Sequence, residues 1–280
     1  MKKAAVIGNP IDHSWSPLIH SFWLKEAGIN AIYEKIKVSS DELENFILAA
    51  SEKGYSGINV TVPHKEEALK LCDDLSETAK ALGAVNLIKF QGNKVLGDNT
   101  DGDGFIKSIL TKLPNISFKN NNFTILGAGG AAKSIAHALK KNNAKKIIII
   151  NRDKAKAKAL ADQIGEISSF YGLSEIEKGL KKSSFLINST TMGMKGGPES
   201  TGINFSDYPN ILCFTDIVYN PATTKLMQAA SLAGIKVIGG IGMLINQAIP
   251  SFHSFYGEAP KNIEGLYSFI NDKIIDSKND

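Results

Sequence analysis

The chain has 280 residues, 43% of them hydrophobic and 21% charged, with a net charge of +4. That length holds two domains of ordinary size or one large one, and the balance is that of a globular chain rather than a disordered or low-complexity one. No apolar run reaches the roughly 18–20 residues that cross a bilayer; Cys72 and Cys213 are too far apart in sequence to read as a disulfide framework or a zinc motif, and the five histidines have no metalloprotease spacing, so neither a membrane span nor a metal is expected.

The apolar start is short and interrupted by Gly8 and Pro10, unlike a signal peptide, which points to a cytoplasmic location. Residues 3–8 read as a strand. Ser16-Pro17 then opens a helix, with Ser16 as its cap, and Gly28 ends it. A strand follows at 31–38, and a helix capped by Ser40 closes at Gly54. The third strand, 58–62, puts Ile58, Val60 and Val62 on one face and Asn59 and Thr61 on the other, because residues two apart share a face. Pro63 has no N–H to continue the ladder, and Lys65 comes just after the break. Short helices are expected near 65–71 and 76–82, then a hairpin of strands 84–90 and 94–97 around Gln91-Gly92-Asn93.

The second half repeats the alternation. Helices are expected at 103–113, after Gly127, at 154–164 and at 223–233. Strands are expected at 123–126, 146–150, 185–188, 212–217 and 236–238, and two final helices at about 243–255 and 263–275. Repeated β-α-β connection gives an α/β fold with a mostly parallel sheet in each half. Glycine-rich stretches at 98–104 and 239–242 are the candidate domain boundaries.

Gly127-Ala128-Gly129-Gly130-Ala131-Ala132 is a G-x-G-x-x-A turn between a strand and a helix, the context of a dinucleotide-binding fingerprint. Gly127 permits the tight turn and Gly129 a close approach of the pyrophosphate. Free N–H groups at the helix start hold the phosphates. The next strand ends in Asn151-Arg152, where an NAD binder usually has an acid. A guanidinium suits a 2′-phosphate, which favours NADP, and Lys154 and Lys156 add to it. Asp153 opposes that phosphate. The other basic residues nearby, Lys140, Lys141, Lys145, Lys146 and Lys158, lack interleaved aromatics, so a solvated helix face is expected and no nucleic-acid partner.

A nicotinamide enzyme that oxidises an alcohol needs a group to move the proton, and Lys65 is the candidate, with Asp101 in the polar turn Gly97-Asp-Asn-Thr-Asp-Gly102 as its carboxylate partner. For Asp101 a second reading stays open, the N-cap of the following helix. Ser14 and Ser16, flanking Trp15, offer two hydroxyls to one ligand group, although Ser16 is also read as a cap. Asn86 and Gln247 interrupt apolar runs, so each amide is either satisfied locally or turned to a ligand.

Together these pieces resemble the shikimate dehydrogenase family. The resemblance rests on Gly8-Asn-Pro-Ile-Asp-His-Ser-Trp-Ser-Pro17, Asn59-Val-Thr-Val-Pro-His-Lys-Glu66, Gly83-Ala-Val-Asn86, Gly97-Asp-Asn-Thr-Asp-Gly102, Gly127-Ala-Gly-Gly-Ala131, Asn151-Arg152, Asn188-Ser-Thr190, Asp216-Ile-Val-Tyr-Asn-Pro221 and Gln247-Ala248. It implies reversible NADPH-dependent reduction of 3-dehydroshikimate to shikimate in aromatic amino-acid biosynthesis, with Lys65 and Asp101 as the catalytic pair. It implies that Ser14, Ser16, Thr61, Lys65, Asn86, Asp101, Tyr219 and Gln247 bind the substrate, the two serines at its carboxylate. Around NADP(H) it implies Gly127, Ala128, Gly129, Gly130, Ala131, Asn151, Arg152, Asp153, Lys154, Ala155, Lys156, Ile217 and Gly240, with Glu77 on the nucleotide side. It further implies a discontinuous substrate-binding domain, 1–102 plus 242–280, around a Rossmann-like NADP-binding domain, 103–241, in a monomer or homodimer that acts on a small molecule.

Two positions depart from the family pattern. Asp153 stands where threonine is frequent, and relatives with an acid there tolerate NAD. Trp15 stands where a basic or small residue is common. Two further readings remain: a quinate/shikimate dehydrogenase with relaxed NAD or NADP use, and a non-catalytic NADP-binding sensor, which would have no use for both Lys65 and Asp101.

Overall fold

The structure, a computed structural model, describes residues 1–199 and 202–279. The chain divides into two compact units, residues 1–100 with 247–280, and residues 101–246.

Unit 1 begins with β1 (Lys2–Gly8), α1 (Ser16–Ala27), β2 (Ala31–Lys37), α2 (Leu43–Glu52) and β3 (Tyr55–Val60). It continues through α3 (Lys65–Lys70), β4 (Asp74–Leu75), α4 (Glu77–Leu82), β5 (Leu87–Gln91) and β6 (Lys94–Asp98). Its six-stranded sheet runs β2-β1-β3-β5-β6-β4. The pairs β1–β2, β1–β3 and β4–β6 are parallel, whereas β5 lies antiparallel to both β3 and β6. A tight turn at Gly92-Asn93 reverses the chain there, with Gly92 at φ +61°, so no crossover helix intervenes.

One face of this sheet buries Ala5, Ile7, Ile58, Val60 and Ile88 beneath Leu43 and Ile47 of α2 and Ala68 of α3. Against the other face lie aromatic rings. Phe255 sits so close to Gly57 that a Cβ there would be 2.4 Å from the ring. Val62 departs from the expected pattern. It is 66% exposed, because β3 ends at Val60 and the chain turns through a cis Val62–Pro63 bond before it can continue the alternation.

Unit 2 contains α5 (Asp101–Lys112), β7 (Asn122–Leu126), α6 (Gly130–Lys141), β8 (Lys146–Asn151), α7 (Lys154–Ile164), β9 (Ser168–Gly172) and α8 (Ile176–Leu180). Then come β10 (Phe185–Asn188), β11 (Cys213–Asp216), α9 (Lys225–Leu232) and β12 (Lys236–Ile238). The sheet order is β12-β11-β10-β7-β8-β9, with every pair parallel. Relabelled from its first strand, this is the doubly wound order 3-2-1-4-5-6 of a dinucleotide-binding fold.

Both faces are covered, which explains the continuous apolar runs in its strands. Ile147 and Ile149 face the cluster of α5, α6 and α7, whereas Ile148 and Ile150 face α8 and α9. The chain ends in α10 (Ile241–Tyr256), within which the division between the units falls, and α11 (Ile263–Asn279).

Three helix starts differ from expectation. Ser16 is the first residue of α1 rather than its cap. The cap position is Trp15, whose side chain does not cap, and Ser14 Oγ accepts the Ser16 N–H at 3.4 Å. Before α2, Ser39 and Glu42 bond to each other and Ser40 caps nothing. And α5 begins at Asp101, two residues earlier than expected.

Candidate active site

In unit 1 the topology gathers the polar candidates at one end of the sheet. The carboxyl ends of β1, β3 and β6 lie beside the amino end of β5, since β5 runs against its neighbours. Backbone bonds lock the chain segments that leave this end. Thr61 N–H donates to Ile7 (3.0 Å), Val60 N–H to Asn86 (2.9 Å), Asn86 N–H to Asp98 (3.0 Å) and Val85 N–H to Lys65 (2.9 Å). Thr61, Lys65 and Asn86 are thereby fixed on adjacent segments. Gly8 is required here, because a Cβ on it would be 2.5 Å from the Thr61 methyl.

Lys65 opens α3, half-buried, directly after the turn in which His64 N–H donates to Thr61 (3.0 Å). His64 anchors that turn from below, its Nε2 lying 2.7 Å from the Val38 carbonyl oxygen.

A buried network backs this end of the sheet. Tyr33 donates its hydroxyl to Asn59 Oδ1 (2.8 Å), and Asn59 Nδ2 donates to the Asn86 carbonyl (3.1 Å) and to Ser251 Oγ (2.8 Å). Asn59 is therefore spent inside the protein and supports its neighbours. Ser16 is also buried. Asn86 accepts from Thr100 N–H (2.9 Å), and its Nδ2 donates to the Thr100 hydroxyl (3.1 Å), which in turn donates to the Gln247 carbonyl (2.9 Å). These bonds fix the residue that immediately precedes Asp101. Ser14 and Trp15 are half-buried before α1. Glu77 is exposed at the start of α4 and paired with Lys80 at 2.9 Å.

In unit 2 the strand order reverses between β7 and β10, and in such sheets ligands bind at the carboxyl ends of the strands at that point. The turn after β7 lies there. Gly127 has φ +113°, and a Cβ on it would be 2.7 Å from Ser189 Oγ in the turn after β10. Space is open beside Gly129 and Gly130 at the start of α6, so a diphosphate can reach their N–H groups. Ala128 and Ala131 are half-buried, and the buried Ala132 lets α6 pack against β7.

At the end of β8, Asn151 Nδ2 donates to the Asp153 carbonyl (3.0 Å). Asp153 is the N-cap of α7, accepting from Ala155 N–H (2.9 Å) and Lys156 N–H (3.3 Å). Its carboxylate is thus held by the helix start rather than standing free beside Arg152. Lys154 is ion-paired with Glu175 at 2.5 Å. The two lysines Lys154 and Lys178 hold that carboxyl down to about 2. Arg152 and Lys156 are exposed and take part in no ion pair among the described residues. The residues present fit a dinucleotide phosphate cradle with a cationic group for an additional phosphate.

Asp101, buried, begins α5, whose Gly102 packs so tightly on α6 that a Cβ would be 2.6 Å from the Ser134 carbonyl oxygen. Ile217 and Tyr219 follow β11. Burial raises the Tyr219 phenol above its usual range. Gly240 lies against the Ile217 backbone, its missing Cβ 2.2 Å from that carbonyl oxygen.

Sequence reasoning gave no role to Tyr33 or Asp216 and read Thr100 only as a candidate helix cap. Tyr33 and Thr100 act through hydrogen bonds to residues distant in sequence, which no local pattern discloses. Asp216 did carry a signal, an acid closing an apolar strand.

Two family models match the chain: the shikimate dehydrogenase substrate binding domain over residues 6–88, and shikimate / quinate 5-dehydrogenase over residues 109–194. Shikimate dehydrogenase (NADP(+)) of Brucella melitensis is 36% identical over 271 residues, 96% of this chain and 93% of that protein. The protein of the same description in Chelativorans sp. is 38% identical, covering 93% and 92%. A crystal structure of shikimate dehydrogenase in complex with NADP+ superposes with a TM-score of 0.89 at 36% identity, over 98% of this chain and 96% of the other. Quinate dehydrogenase from Corynebacterium glutamicum, in complex with NAD, has a TM-score of 0.88 at 30% identity, over 97% and 100%.

Proposed function

The chain belongs to the shikimate dehydrogenase family, and on that premise we infer its reaction: it is an NADP-dependent oxidoreductase that reversibly reduces 3-dehydroshikimate to shikimate. The observation that carries the reading within the molecule is the glycine turn Gly127–Gly130 at the switch point of the parallel sheet, followed at the end of the next strand by Arg152. When bound, NADPH supplies the hydride.

The chain's own residues do the rest. Lys65, in its ammonium form, gives a proton to the oxygen that becomes the new hydroxyl, and in the oxidative direction the amine takes that proton back. Asp101 orients the lysine and accepts a hydrogen bond from the same hydroxyl. Ser14 and Ser16 hold the substrate carboxylate as neutral donors. Thr61, Asn86, Tyr219 and Gln247 bind the ring hydroxyls and orient the reacting carbon. Glycines 127, 129 and 130 with Ala128 and Ala131 hold the diphosphate, Asn151 to Lys156 the adenosine and its 2′-phosphate, and Ile217 and Gly240 the nicotinamide end. Glu77 stands on the nucleotide side. Unit 1 is the substrate-binding part and unit 2 the cofactor-binding part, in a cytoplasmic monomer or homodimer. The curated relatives named for shikimate and NADP(+) favour this substrate and cofactor over quinate or a non-catalytic sensor.

The test is to follow NADPH consumption with 3-dehydroshikimate in the wild type and in Lys65→Ala. General acid–base catalysis contributes about 10²–10⁴-fold, so the variant is expected to lose at least about 100-fold in kcat while shikimate still binds. Near-normal turnover in Lys65→Ala would overturn the assignment of the proton to this side chain.

A further inference from the structure

Asn188 closes β10 and Asp216 closes β11, and the two stand opposite each other in the parallel register. Both are fully enclosed at 0% exposure, so neither is available to a ligand. Their bonds tie together the two segments that leave these strands. Asn188 Nδ2 donates to Asp216 Oδ1 (3.0 Å) and to the Met192 carbonyl (3.2 Å). Asn188 Oδ1 accepts from Thr190 N–H (3.1 Å) and from the Thr190 hydroxyl (2.6 Å). Asp216 Oδ1 accepts in addition from Val218 N–H (3.0 Å), and Oδ2 accepts from the Thr224 hydroxyl (2.7 Å), whose oxygen caps α9.

The opposite side of the same segment is closed by Gly240, where any Cβ would meet the Ile217 and Val218 carbonyl oxygens at 2.2 and 2.8 Å. Lys195 N–H reaches the Asn220 carbonyl (3.1 Å), a further tie between the two loops. Burying a carboxylate is costly, and burial raises this one above its usual range. A packing role alone is met at lower cost by an apolar side chain. What the carboxylate gives in return is a fixed position for the backbone at Val218 and for Thr224, with Ile217 and Tyr219 on either side of Val218.

We propose that Asn188 and Asp216 form a positioning clasp that sets the backbone of residues 216–221, and through it Ile217 and Tyr219, for hydride transfer. They are positioning residues, and the proposal rests on the reaction inferred above.

The experiment compares Asn188→Ala, Asp216→Ala and Asp216→Asn with the wild type by three readouts. Amide hydrogen exchange in the free protein reports the clasp itself: Val218 is protected in the wild type and loses protection in both alanine variants. In steady state, misplacement of the segment is expected to lower kcat about 10- to 100-fold. The NADPH dissociation constant, read by fluorescence titration, is expected to change less than kcat, because the residues assigned to the diphosphate and the adenosine lie outside the clasp. Asp216→Asn keeps an acceptor for Val218 and Asn188 and an amide for the Thr224 oxygen, so it restores kcat to within about threefold.

The proposal is overturned if Val218 protection and kcat are unchanged in the alanine variants. It is equally overturned if NADPH affinity falls as far as kcat, or if asparagine restores nothing. Should Asp216→Ala fail to fold, Asn188→Ala, which removes the donor that holds the Asp216 carboxylate in place for Val218, carries the same comparison. A wild type inactive on 3-dehydroshikimate would remove the reaction and leave the Val218 exchange to judge the clasp.

Discussion

His20 is fully buried, neither ring nitrogen has a partner, and its ring stacks on Tyr33 at 3.9 Å among Trp23, Phe252, Phe255 and Tyr256. Burial pushes its pKa down to about 3. The unfolded chain, with an ordinary histidine, binds a proton near pH 6.5 that the folded chain refuses until about pH 3. Between those values the unfolded state holds more protons, so stability rises with pH and is lost on acidification, by an amount of up to roughly 4–5 kcal/mol. The titratable groups facing the ring are the hydroxyls of Tyr33 and Tyr256, both pushed up by burial, and neither supplies a charge in this window. We expect His20→Phe to flatten the acid limb of the stability curve, measured by urea unfolding at several pH values. A limb as steep as the wild type's would assign the loss to other groups. At this scale the sequence was partly legible. Asn86 and Gln247 stood out as amides in apolar runs, whereas Thr100, which bonds Asn86, and Tyr33 and Ser251, which bond the supporting Asn59, lie far away in the chain.

Elements were legible where a period and an end signal agreed. Helix α7 and strands β10 and β12 follow from apolar spacing bounded by Asp, Asn or Gly. Strand β9, Ser168–Gly172, was not read at all, because it is an edge strand with polar residues at its start and half-buried aromatics at its end. The misplaced caps at Ser16 and Ser40 have a common reason: several serines and acids compete at each helix start, and tertiary contacts decide among them. Asp153 is the reverse case, an acid whose apparent conflict with a phosphate is explained once its two N–H bonds are seen. Asp153→Ala should lower stability by about 1 kcal/mol as a lost N-cap. Arg152→Ala should instead raise the KM for NADPH by about tenfold, corresponding to about 1.4 kcal/mol, and leave that for NADH unchanged. Equal effects on both cofactors would remove Arg152 from the 2′-phosphate. At the turn after β7, Gly127→Ala forces a side chain into φ +113° and to within 2.7 Å of Ser189 Oγ. A cost of about 1–3 kcal/mol and a loss of NADPH binding by fluorescence titration are expected.

For the molecule as a whole, alternation of strands and helices was enough to give an α/β chain with two sheets. The hairpin around Gln91-Gly92-Asn93 gave β5 antiparallel to β6, but not that β5 lies in the middle of the sheet against β3, since order depends on pairing between distant segments. NADPH that binds the folded chain alone adds stability by mass action, about 2.7 kcal/mol at one hundred times its dissociation constant. Thermal unfolding with and without the nucleotide reads this directly, and a Gly127→Ala protein should show no such gain.

Unit 1 is written in two pieces, with unit 2 inserted between Thr100 and Gln247. Phe252, Phe255 and Tyr256, which cover the aromatic face of the first sheet, therefore leave the ribosome only after every strand of unit 2 has done so. Synthesis at about 5–20 residues per second imposes an order: the later part of the chain has its core complete while the earlier part still waits for its own. The first sheet, all six strands of which precede unit 2, must wait with Tyr33 and His20 uncovered by the late rings, so the interval before the last helices emerge is the one in which its apolar face stands open.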